Sequence, residues 1–441
     1  MTGWTYYPEL LATPVPRYTS YPTAAEFSDR VGAAELESAL AAIEPDQPIS
    51  LYVHIPYCHE ICWYCGCSTG AANKVQRLNG YLDTLHEEIG LIAGRLAGRG
   101  RVNRIAFGGG SPNAIAPAQF AALLAKLRGA FGVDNPLLSI ELDPRSLSGP
   151  WFDAIGVAGI SRASLGVQTL GDKVQCAIGR HQPLGLIEIA VEELRRARVA
   201  SLNFDLMYGL PYQGLAELEA TLEETIRMRP ERIALFGYAH VPHLIPRQKR
   251  IDGSALPDAE LRFAQAELGH RVLTHAGYAA IGFDHYALAH DPLSLAARQG
   301  RLRRNFQGFT DDNADILIGL GASAIHQFPG LIAQNEKNAG RYKIRVSSGL
   351  LAATHGILRG SEDRRRGRII EQLLCDGLAE MEGHFDPKLL GRLQPFLDRG
   401  LATIECGRLR LPDYGRPYAR VVASLLDEYR QPAARRFSSA I

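Results

Sequence analysis

Cysteine is scarce in this chain, whose 441 residues include only seven. A secreted domain stabilised by disulfides carries far more, so that class of protein is excluded. Long apolar runs are also missing, and the opening residues MTGWTYYPEL lack the basic and apolar regions of a secretion signal. We therefore expect a soluble protein of the reducing cytoplasm, with no membrane span.

An excess of charge of either sign is missing as well. The formal net charge is +1, with 46% hydrophobic and 22% charged residues, as in an ordinary globular protein with one large core and a smaller one. Arginine clusters only locally, at residues 364–366 and 435–436, and such short runs are typical of solvated surfaces or terminal tails. We expect no nucleic-acid partner, because no global basic field is present.

Short apolar runs rich in strand-forming residues alternate with amphipathic helical segments. The predicted helices have apolar residues at three- and four-residue spacing and cover residues 81–96, 117–131, 184–199 and 215–228. The predicted strands cover residues 49–55, 102–107, 137–142, 162–167, 202–207 and 232–238. Strand followed by helix, repeated about six times, predicts a parallel α/β sheet.

Polar and glycine residues recur at the ends of these strands, which favours a barrel over an open sheet. Cysteines follow the first strand and the run GGGS (108–111) follows the second. The later strands end at Glu141 to Asp143, Gln168, Asp205 and residues 238–240. Functional residues at the carboxyl end of every strand are typical of barrel enzymes.

Four of the seven cysteines fall in the run CHEICWYCGC, residues 58–67. Thiolates crowded this closely repel one another unless a cation or cluster neutralises them, so the run predicts a metal or iron–sulfur loop. A structural zinc site, joined by His54 or His59, is the alternative. Structural zinc usually takes two separated cysteine pairs, whereas a contiguous loop at a barrel mouth suits a cluster better.

The glycine run 108–110 is compatible with two interpretations. It lacks the GxGxxG spacing of a dinucleotide fingerprint and the GK[ST] ending of a phosphate loop. Three glycines after a strand can simply make a tight turn. They also leave backbone without Cβ atoms, which suits close approach by a charged small molecule.

The spacing Cys58-x3-Cys62-x2-Cys65, with the aromatic Tyr64 before the last cysteine, resembles the signature of the radical S-adenosylmethionine superfamily. The resemblance implies a 4Fe-4S cluster held by three cysteines and S-adenosylmethionine bound at the open iron. One-electron reduction then gives a 5′-deoxyadenosyl radical. The matched residues imply metal ligation by Cys58, Cys62 and Cys65.

A fourth cysteine, Cys67, and the preceding YVHIP (52–56) are similar to the oxygen-independent coproporphyrinogen III oxidases. Further similar segments make the coverage nearly end to end: RYTSYPTA (17–24), GFDH (282–285), RNFQG (304–308) and FSSAI (437–441). The resemblance implies conversion of coproporphyrinogen III to protoporphyrinogen IX, in which two propionates become vinyl groups and lose carbon dioxide. Hydrogen-atom abstraction suits the unactivated β-carbon, which no side-chain base can deprotonate. A cluster reductant and a final electron acceptor are implied partners, and we expect a monomer.

The same resemblance implies two S-adenosylmethionine sites. Residues matching the first site are Tyr52, Gly109, Glu141 and Ile325, and those matching the second are Tyr64, Gly110, Ser111, Gln168, Arg180, Asp205 and Ala239. Cys67 and His54 are the candidate catalytic residues, for substrate positioning, hydrogen donation or proton transfer. Without the resemblance, a buried Arg180–Asp205 ion pair, a helix-capping Glu141 and a core histidine would explain those residues equally well.

The implied fold is α/β, a partial (β/α)6 TIM-like barrel with an N-terminal extension and a mostly helical, winged-helix-like C-terminal domain. We expect residues 1–48 to pack over the barrel, residues 49–350 to form it, and residues 351–441 to act as a lid. A β-hairpin is predicted at residues 401–411. Because this last domain is not strongly basic, a lid is favoured over DNA binding, and it would exclude water and dioxygen from a radical.

Three positions depart from the family pattern: Ser111 replaces threonine, Tyr64 replaces phenylalanine, and Cys375-Asp376-Gly377 replaces a Cys-Asn-aromatic motif. The third leaves the substrate contacts of the C-terminal domain open. Two other functions stay possible. A haem chaperone of the same superfamily would typically lack Cys67 and residues 17–24, and a zinc-stabilised regulatory protein is the more remote alternative.

Overall fold

Six parallel strands, each followed by at least one helix, form the centre of the molecule in a computed structural model that describes residues 3–381 and 383–430. Each predicted strand is confirmed within one or two residues at its ends. The strands are β1 (Pro48–Ile55), β2 (Arg101–Gly109), β3 (Leu137–Leu142), β4 (Arg162–Gln168), β5 (Ser201–Tyr208) and β6 (Arg232–Gly237). Neighbours along the chain pair in parallel, in the order β1-β2-β3-β4-β5-β6. The arginine run 435–436 and the segment FSSAI lie outside the described residues.

Helices cover the outer face of this sheet, as their apolar spacing predicts. In chain order, the first eight helices of the described residues are α1 (Pro8–Leu11), α2 (Ala33–Ala41), α3 (Val75–Leu96), α4 (Pro117–Phe131), α5 (Gly149–Ala158), α6 (Asp172–Ile178), α7 (Leu184–Arg196) and α8 (Leu215–Met228). Helix α7 ends three residues before the predicted boundary, because Arg198 adopts the left-handed region at φ 65°. Helix α3 begins six residues early, since its first six residues, VQRLNG, contain only two apolar side chains, Val75 and Leu78.

The sheet continues beyond the six predicted strands on both sides. Strand β11 (Ile316–Leu320) runs parallel to β1, with Leu51 opposite Ile318, and three antiparallel strands follow it. On the other side β8 (His285–Ala287) pairs antiparallel with β6, and β7 (Ala279–Ile281) pairs with β8. The added strands, with the separate hairpin β9–β10, are β7 (Ala279–Ile281), β8 (His285–Ala287), β9 (Arg303–Asn305), β10 (Gly308–Thr310), β11 (Ile316–Leu320), β12 (Ile325–Phe328), β13 (Leu331–Asn335) and β14 (Ala353–Leu358).

The predicted partial barrel is confirmed, because the sheet curves but does not close. Strands β14 and β7 form its two ends, and no pairing joins them within residues 3–381 and 383–430. No helix in the described part of the chain is long and apolar enough to cross a membrane. The remaining helices are α9 (Ala259–His275), α10 (Pro292–Arg298), α11 (Ala339–Ser347), α12 (Ser361–Asp376), α13 (Pro387–Asp398) and α14 (Ala419–Ser424).

The C-terminal part combines helices α12–α14 with a small antiparallel sheet, as the winged-helix-like prediction requires. Its strands are β15 (Leu378–Glu380), β16 (Thr403–Glu405) and β17 (Arg408–Arg410), and the last two form the predicted hairpin. A separate apolar core joins this part to the N-terminal segment. Tyr18 donates a hydrogen bond to Asp427 over 2.9 Å, and Tyr418 donates one to the Thr5 carbonyl over 2.7 Å. The N-terminal segment is therefore packed against the C-terminal part.

Candidate active site

The cysteine loop leaves the carboxyl end of β1 and returns beside it. Tyr57–Cys58 and Gly70–Ala71 pair as two short parallel segments, so the loop is closed at its base. Cys62 is buried, Cys58 and Cys65 are half-buried, and Cys67 is exposed. The loop therefore presents thiols at different depths of one mouth.

Most of the predicted site residues line a single cavity at this end of the barrel. They are Cys58, Cys62, Tyr64, Cys65, Cys67, Gly109, Gly110, Glu141, Gln168, Arg180 and Asp205. Apart from Arg180, which follows helix α6, these residues come from the loop and from strands β2 to β5, which is the arrangement that the parallel topology predicts. The structure thus brings thiols, glycine backbone, carboxylates and a guanidinium together.

Two arginines donate hydrogen bonds to the sulfur of Cys62. Arg180 reaches it from Nη1 over 3.2 Å and Arg145 from Nη2 over 3.4 Å. Asp143 holds both guanidiniums, at 3.1 Å from Arg180 and 2.7 Å from Arg145. Positive charge beside a sulfur stabilises the thiolate that binds iron. The alternative of an Arg180–Asp205 ion pair is wrong, because Arg180 pairs with Asp143.

The thiols of the loop have different proton affinities. Burial, together with the neighbouring thiol of Cys65, raises the pKa of Cys58 to about 12. Hydrogen bonding from Cys67 lowers the pKa of Cys65 to about 6, and the Cys67 amide also donates to the Cys65 sulfur over 3.4 Å. Among the described residues, no three His, Cys, Asp or Glu side chains are placed to hold one metal ion. The cysteines of an iron–sulfur cluster bind separate irons, so thiols that do not converge on one point are compatible with a cluster.

The glycine run has little room for side chains. A Cβ on Gly109, whose φ is +112°, would lie 2.6 Å from the His54 ring, and one on Gly110 would lie 2.6 Å from the Tyr57 carbonyl oxygen. A Cβ on Gly108 would meet the Glu141 carboxylate at 2.6 Å. The run is therefore a close-packed turn, and its Gly109 and Gly110 backbone also lines the cavity. The run is therefore compatible with both interpretations, a tight turn and a backbone that a charged small molecule can approach closely.

Two half-buried carboxylates, Glu141 and Asp205, lie on the inner wall. Glu141 accepts a hydrogen bond from the Gly109 amide over 3.0 Å, and Asp205 accepts from Ser164 and Asn203, each over 2.8 Å. Burial raises the pKa of Glu141 to about 7, and the nearby Asp205 adds to the effect. Burial also raises the pKa of Asp205. Glu141 lies in β3 and does not cap a helix, so that alternative is wrong. Two neighbouring acids with raised pKa values favour a cationic ligand.

The remaining predicted residues lie around the cavity and are not among its lining. Tyr52 packs edge-on against Phe306 with ring centroids 4.7 Å apart. His54 contacts Ser323 over 3.4 Å, and burial lowers its pKa to about 4, so the ring is neutral near pH 7. Ser111 is buried and donates to Asn113 over 2.5 Å. Ile325 begins β12, two strands from β1 in the sheet.

Ala239 is linked to the loop through Gln248, a buried residue that sequence reasoning missed. The Gln248 amide donates to the carbonyls of Tyr64 and Ala239 over 2.9 and 3.0 Å, and the Val241 amide donates to the Gln248 side chain. A second attachment is the Trp63 ring, which packs directly against Gly179. A Cβ added to Gly179 would lie only 2.6 Å from this ring. The loop is thus fixed to the end of β6 and to the turn before Arg180.

Asp143 and Arg145 were also missed as site residues. Asp143 follows β3 directly, so its position at a strand end was the available signal. Arg145 lies in a short 3-10 turn, where a lone arginine is ordinarily solvated, but here it also bonds the side chain and carbonyl of Glu60 over 2.8 and 3.4 Å. Only the folded position of the loop makes it part of the site.

Comparison with known proteins first defines the class. Residues 52–225 match the model of the Radical SAM superfamily, whose members use a 4Fe-4S cluster and S-adenosylmethionine. This range contains the second half of β1, the cysteine loop and the strands β2 to β5. The fold and the site therefore define a radical S-adenosylmethionine protein.

Similarity over the full length then narrows the class. The chain is 38% identical over 437 residues to the oxygen-independent coproporphyrinogen III oxidase of Bradyrhizobium diazoefficiens, covering 97% of each chain. It is 34% identical to that of Escherichia coli K12, covering 95% of this chain and 94% of the relative. The solved structure of Escherichia coli HemN, described as a radical SAM enzyme, superimposes with a TM-score of 0.91 at 32% identity, covering 97% of this chain and 100% of HemN. The chain belongs to the family of oxygen-independent coproporphyrinogen III oxidases.

Proposed function

We propose that this protein converts coproporphyrinogen III to protoporphyrinogen IX in haem biosynthesis, by oxidative decarboxylation of two propionates without dioxygen. Similarity over nearly the whole chain to oxidases of that name supports the substrate. The observation that carries the proposal is the cysteine loop, which places three thiols with Glu141 and Asp205 in one cavity. When bound there, the cluster and S-adenosylmethionine supply one-electron chemistry that ends in hydrogen-atom abstraction from the propionate.

Cys58, Cys62 and Cys65 are the proposed cluster ligands. The guanidiniums of Arg145 and Arg180 offset the negative charge of the Cys62 sulfur, and their pairing with Asp143 fixes their position. Hydrogen bonds to the sulfurs of a cluster set its reduction potential. In this proposal the two arginines keep the bound cluster reducible.

Glu141 and Asp205 are the proposed partners of the positive groups of S-adenosylmethionine. Both are half-buried on the cavity wall, and desolvation there raises their pKa values. A ligand that carries an ammonium and a sulfonium would favour their ionised forms. Tyr52, Gly109 and Ile325 complete the proposed first site. Tyr64, Gly110, Ser111, Gln168, Arg180 and Ala239 would contribute with Asp205 to a second.

Cys67 and His54 remain candidates for roles in positioning or hydrogen transfer. Cys67 lines the cavity at its exposed rim, which suits contact with the tetrapyrrole or with a product radical. His54 is half-buried behind Gly109, and desolvation lowers its pKa to about 4, so a role as cationic acid at neutral pH is disfavoured. A hydrogen bond through Ser323 is the contact it offers.

The terminal parts of the chain are proposed to cover the barrel mouth. Arg17 of the N-terminal segment donates to the Gly237 carbonyl at the end of β6 over 2.9 Å, and the segment packs in turn on α14 and its neighbours. We propose the same domain limits, at residues 48 and 350. Strand β14, the last strand of the barrel sheet, begins three residues after the second limit. A lid here would exclude water and dioxygen. Action as a cytoplasmic monomer, with a separate reductant and electron acceptor, is part of the same proposal.

An anaerobic assay tests the proposal directly. Reconstituted protein is incubated with S-adenosylmethionine, a reductant and coproporphyrinogen III, and 5′-deoxyadenosine and vinyl-bearing product are quantified. Both are expected. Formation of 5′-deoxyadenosine without decarboxylation would support the radical chemistry of the superfamily and reject coproporphyrinogen III as the substrate. That result would favour the haem-chaperone alternative. Zinc without iron or sulfide in anaerobically purified protein would reject the cluster.

A pair of cysteine variants tests the ligand assignment. Cys62→Ala removes a buried thiol of the loop, and Cys176→Ala removes an exposed thiol on helix α6. Only Cys62→Ala should lose the visible absorbance of the cluster and its iron. Full iron content in Cys62→Ala would refute the assignment.

A further inference from the structure

A short 3-10 turn of sequence PRQKR, Pro246–Arg250, lies against the outside of the cysteine loop. Arg247 donates a hydrogen bond to the Cys67 carbonyl over 3.3 Å. The Arg250 guanidinium lies 5.8 Å from the centroid of the Trp63 ring. Cys67 and Trp63 both belong to the loop, so the turn is attached to it by side chains near each of its ends.

A small apolar core beneath this turn joins it to the loop. Trp63 and Tyr64 of the loop pack against this core. Its buried members come from helix α6, from the ends of two barrel strands and from the residue after the turn, and they are Val174, Ile178, Leu210, Tyr238 and Ile251. The turn, helix α6 and the loop therefore share one support, and a protein bound to their outer surface would contact a platform that carries the cysteines.

The outer surface of this platform has an excess of positive charge. Its four cations, which we call the basic face, are Lys173, Arg247, Lys249 and Arg250. Over residues 172–176 and 243–252 these four cations occur with two carboxylates, Asp172 and Asp252, which gives a net charge of +2, whereas the whole chain has +1. The exposed side chain of Lys249 has no hydrogen bond or ion pair with any residue in the described part of the chain. Its charge is therefore available to a partner.

Apolar and aromatic side chains are exposed beside these cations. Leu244 is 58% exposed and Tyr212 is 42% exposed. The Lys173 ammonium lies 4.6 Å from the centroid of the Tyr212 ring. Exposed apolar and aromatic groups among charges are typical of a surface that binds another protein. A patch of this small size suits a brief electron-transfer encounter better than a permanent complex.

The basic face lies outside the cavity in which the cysteines meet Glu141 and Asp205. The residues that line that cavity include none of the four cations. Cys67 and Tyr64 line it, and their carbonyls accept hydrogen bonds from Arg247 and Gln248 on the outer side. A molecule on the basic face would therefore be separated from the cluster ligands by the loop alone, and the cavity would stay free. That position suits an electron donor and not the substrate.

We propose that the basic face binds a small acidic protein that carries one electron, and that this carrier reduces the cluster across the cysteine loop. This inference rests on the cluster of the proposed function and is independent of its substrate. The carrier is oxidised by one electron as the cluster is reduced by one, so no atom or proton has to be transferred. Opposite charge on the two surfaces speeds their encounter and sets their orientation.

Stopped-flow reduction of the anaerobic, cluster-loaded protein tests the face, with a reduced flavodoxin as the acidic carrier. Lys249→Glu and Arg250→Glu should each lower the second-order rate constant about 10-fold at low salt, because each reverses a charge that steers the encounter. Lys388→Glu makes the same charge change on the exposed side of helix α13, away from the loop, and should behave as wild type. Photoreduced 5-deazariboflavin, a small uncharged reductant, should reduce all four proteins at the same rate.

Isothermal titration calorimetry with oxidised flavodoxin gives a second measurement that needs no electron transfer. The wild-type Kd should weaken as ionic strength rises from about 0.01 M to about 1 M, since the screening length falls from about 30 Å to about 3 Å. At low salt, Lys249→Glu and Arg250→Glu should bind about 10-fold more weakly than wild type and depend less on salt. Lys388→Glu should have the wild-type Kd at every salt concentration.

Equal rate constants and equal Kd values in wild type, Lys249→Glu and Lys388→Glu would overturn the inference. A higher KM for coproporphyrinogen III in Lys249→Glu, with unchanged reduction by flavodoxin, would also overturn it and would assign the face to the carboxylates of the substrate. If Arg250→Glu also slows reduction by 5-deazariboflavin, because it loses its contact with Trp63, Lys249→Glu decides. Wild type that binds no cluster rejects the proposed ligands, whereas a loaded cluster reduced at equal rates in every variant rejects only the basic face.

Discussion

The guanidinium of Arg180 joins the sulfur of Cys62 to the carboxylate of Asp143, with contacts of 3.2 and 3.1 Å. The same side chain donates to Gln182 over 3.1 Å and to the Gly166 carbonyl over 2.5 Å, so its position is fixed by four partners. A buried cation this close to a cluster ligand favours the more negative, reduced cluster. Arg180 therefore has a role at the cluster in addition to any contact with S-adenosylmethionine.

Arg180→Gln should make the cluster harder to reduce. Loss of one charged hydrogen bond worth ~1.4 kcal/mol corresponds to a shift of about 60 mV to more negative potential for a one-electron couple. A redox titration followed by electron paramagnetic resonance measures the shift. Arg227→Gln serves as the control, since its ion pairs with Glu188 and Glu224 are exposed. An unchanged potential in Arg180→Gln would show that the contact is only structural.

Gly110→Ala should destabilise the fold around the cysteine loop. Its Cβ would lie 2.6 Å from the Tyr57 carbonyl oxygen, and that backbone cannot move without opening the base of the loop. We expect a loss of about 2–4 kcal/mol in the free energy of unfolding, together with poor cluster retention. Gly129→Ala is the matched control. Gly129 lies in α4 with no atom within 4 Å of an added Cβ, so the change should stabilise by about 0.5–1 kcal/mol. Equal stability of the two variants by chemical denaturation would contradict the packing argument.

The parallel core could be predicted because each strand carries its own signal. The run LLSIEL (137–142) is mostly apolar and is followed by polar residues. The strand that it predicts has the observed bounds. Strand β11 was missed, although its residues ILIGL are all buried, because it follows a stretch without the strand–helix alternation. Its parallel pairing with β1 is a contact over more than 260 residues, which no local pattern encodes.

The residues of the candidate site likewise fall into two groups, those that a local sequence pattern reveals and those that only the fold brings to the site. Thiols and glycines occur in contiguous runs, so the loop and the turn at residues 108–110 could be recognised in the sequence. Arg145 and Gln248 act through hydrogen bonds to distant residues, such as the Cys62 sulfur and the Tyr64 carbonyl, that exist only after folding. The pairing of Arg180 with Asp143, and not with Asp205, likewise depends on where α6 delivers the arginine.

Glu88→Ala should be strongly destabilising. The buried Glu88 carboxylate accepts hydrogen bonds from the Gly321 amide, the Asn335 side chain and the Tyr342 hydroxyl, at 2.6, 2.7 and 2.8 Å. These contacts attach α3 to Gly321 after β11, to the end of β13 and to α11. Removal of the acceptor leaves the Gly321 amide, the Tyr342 hydroxyl and one of the two Asn335 N–H groups without that partner, at a cost of about 3–5 kcal/mol. Glu87→Ala, one residue earlier and exposed, should change stability by less than about 0.5 kcal/mol. Similar melting temperatures for the two variants would contradict this assignment.

Binding of S-adenosylmethionine should strengthen as pH rises through the pKa of Glu141. That pKa is about 7 in the cofactor-free protein, mainly because the carboxyl is buried, against the opposing hydrogen bond from Gly109. Below pH 7 the carboxyl is largely protonated and cannot attract a cation, so affinity should fall by up to about tenfold per pH unit. For the same reason the cofactor-free fold loses stability as pH rises from the unfolded pKa of about 4.5 to about 7, since the folded state binds the proton more tightly. Isothermal titration calorimetry between pH 6 and 8 on the anaerobic, cluster-loaded protein measures the trend. Glu141→Gln should bind weakly with a flatter pH profile, and the same slope in wild type and Glu141→Gln would assign the titration to another group.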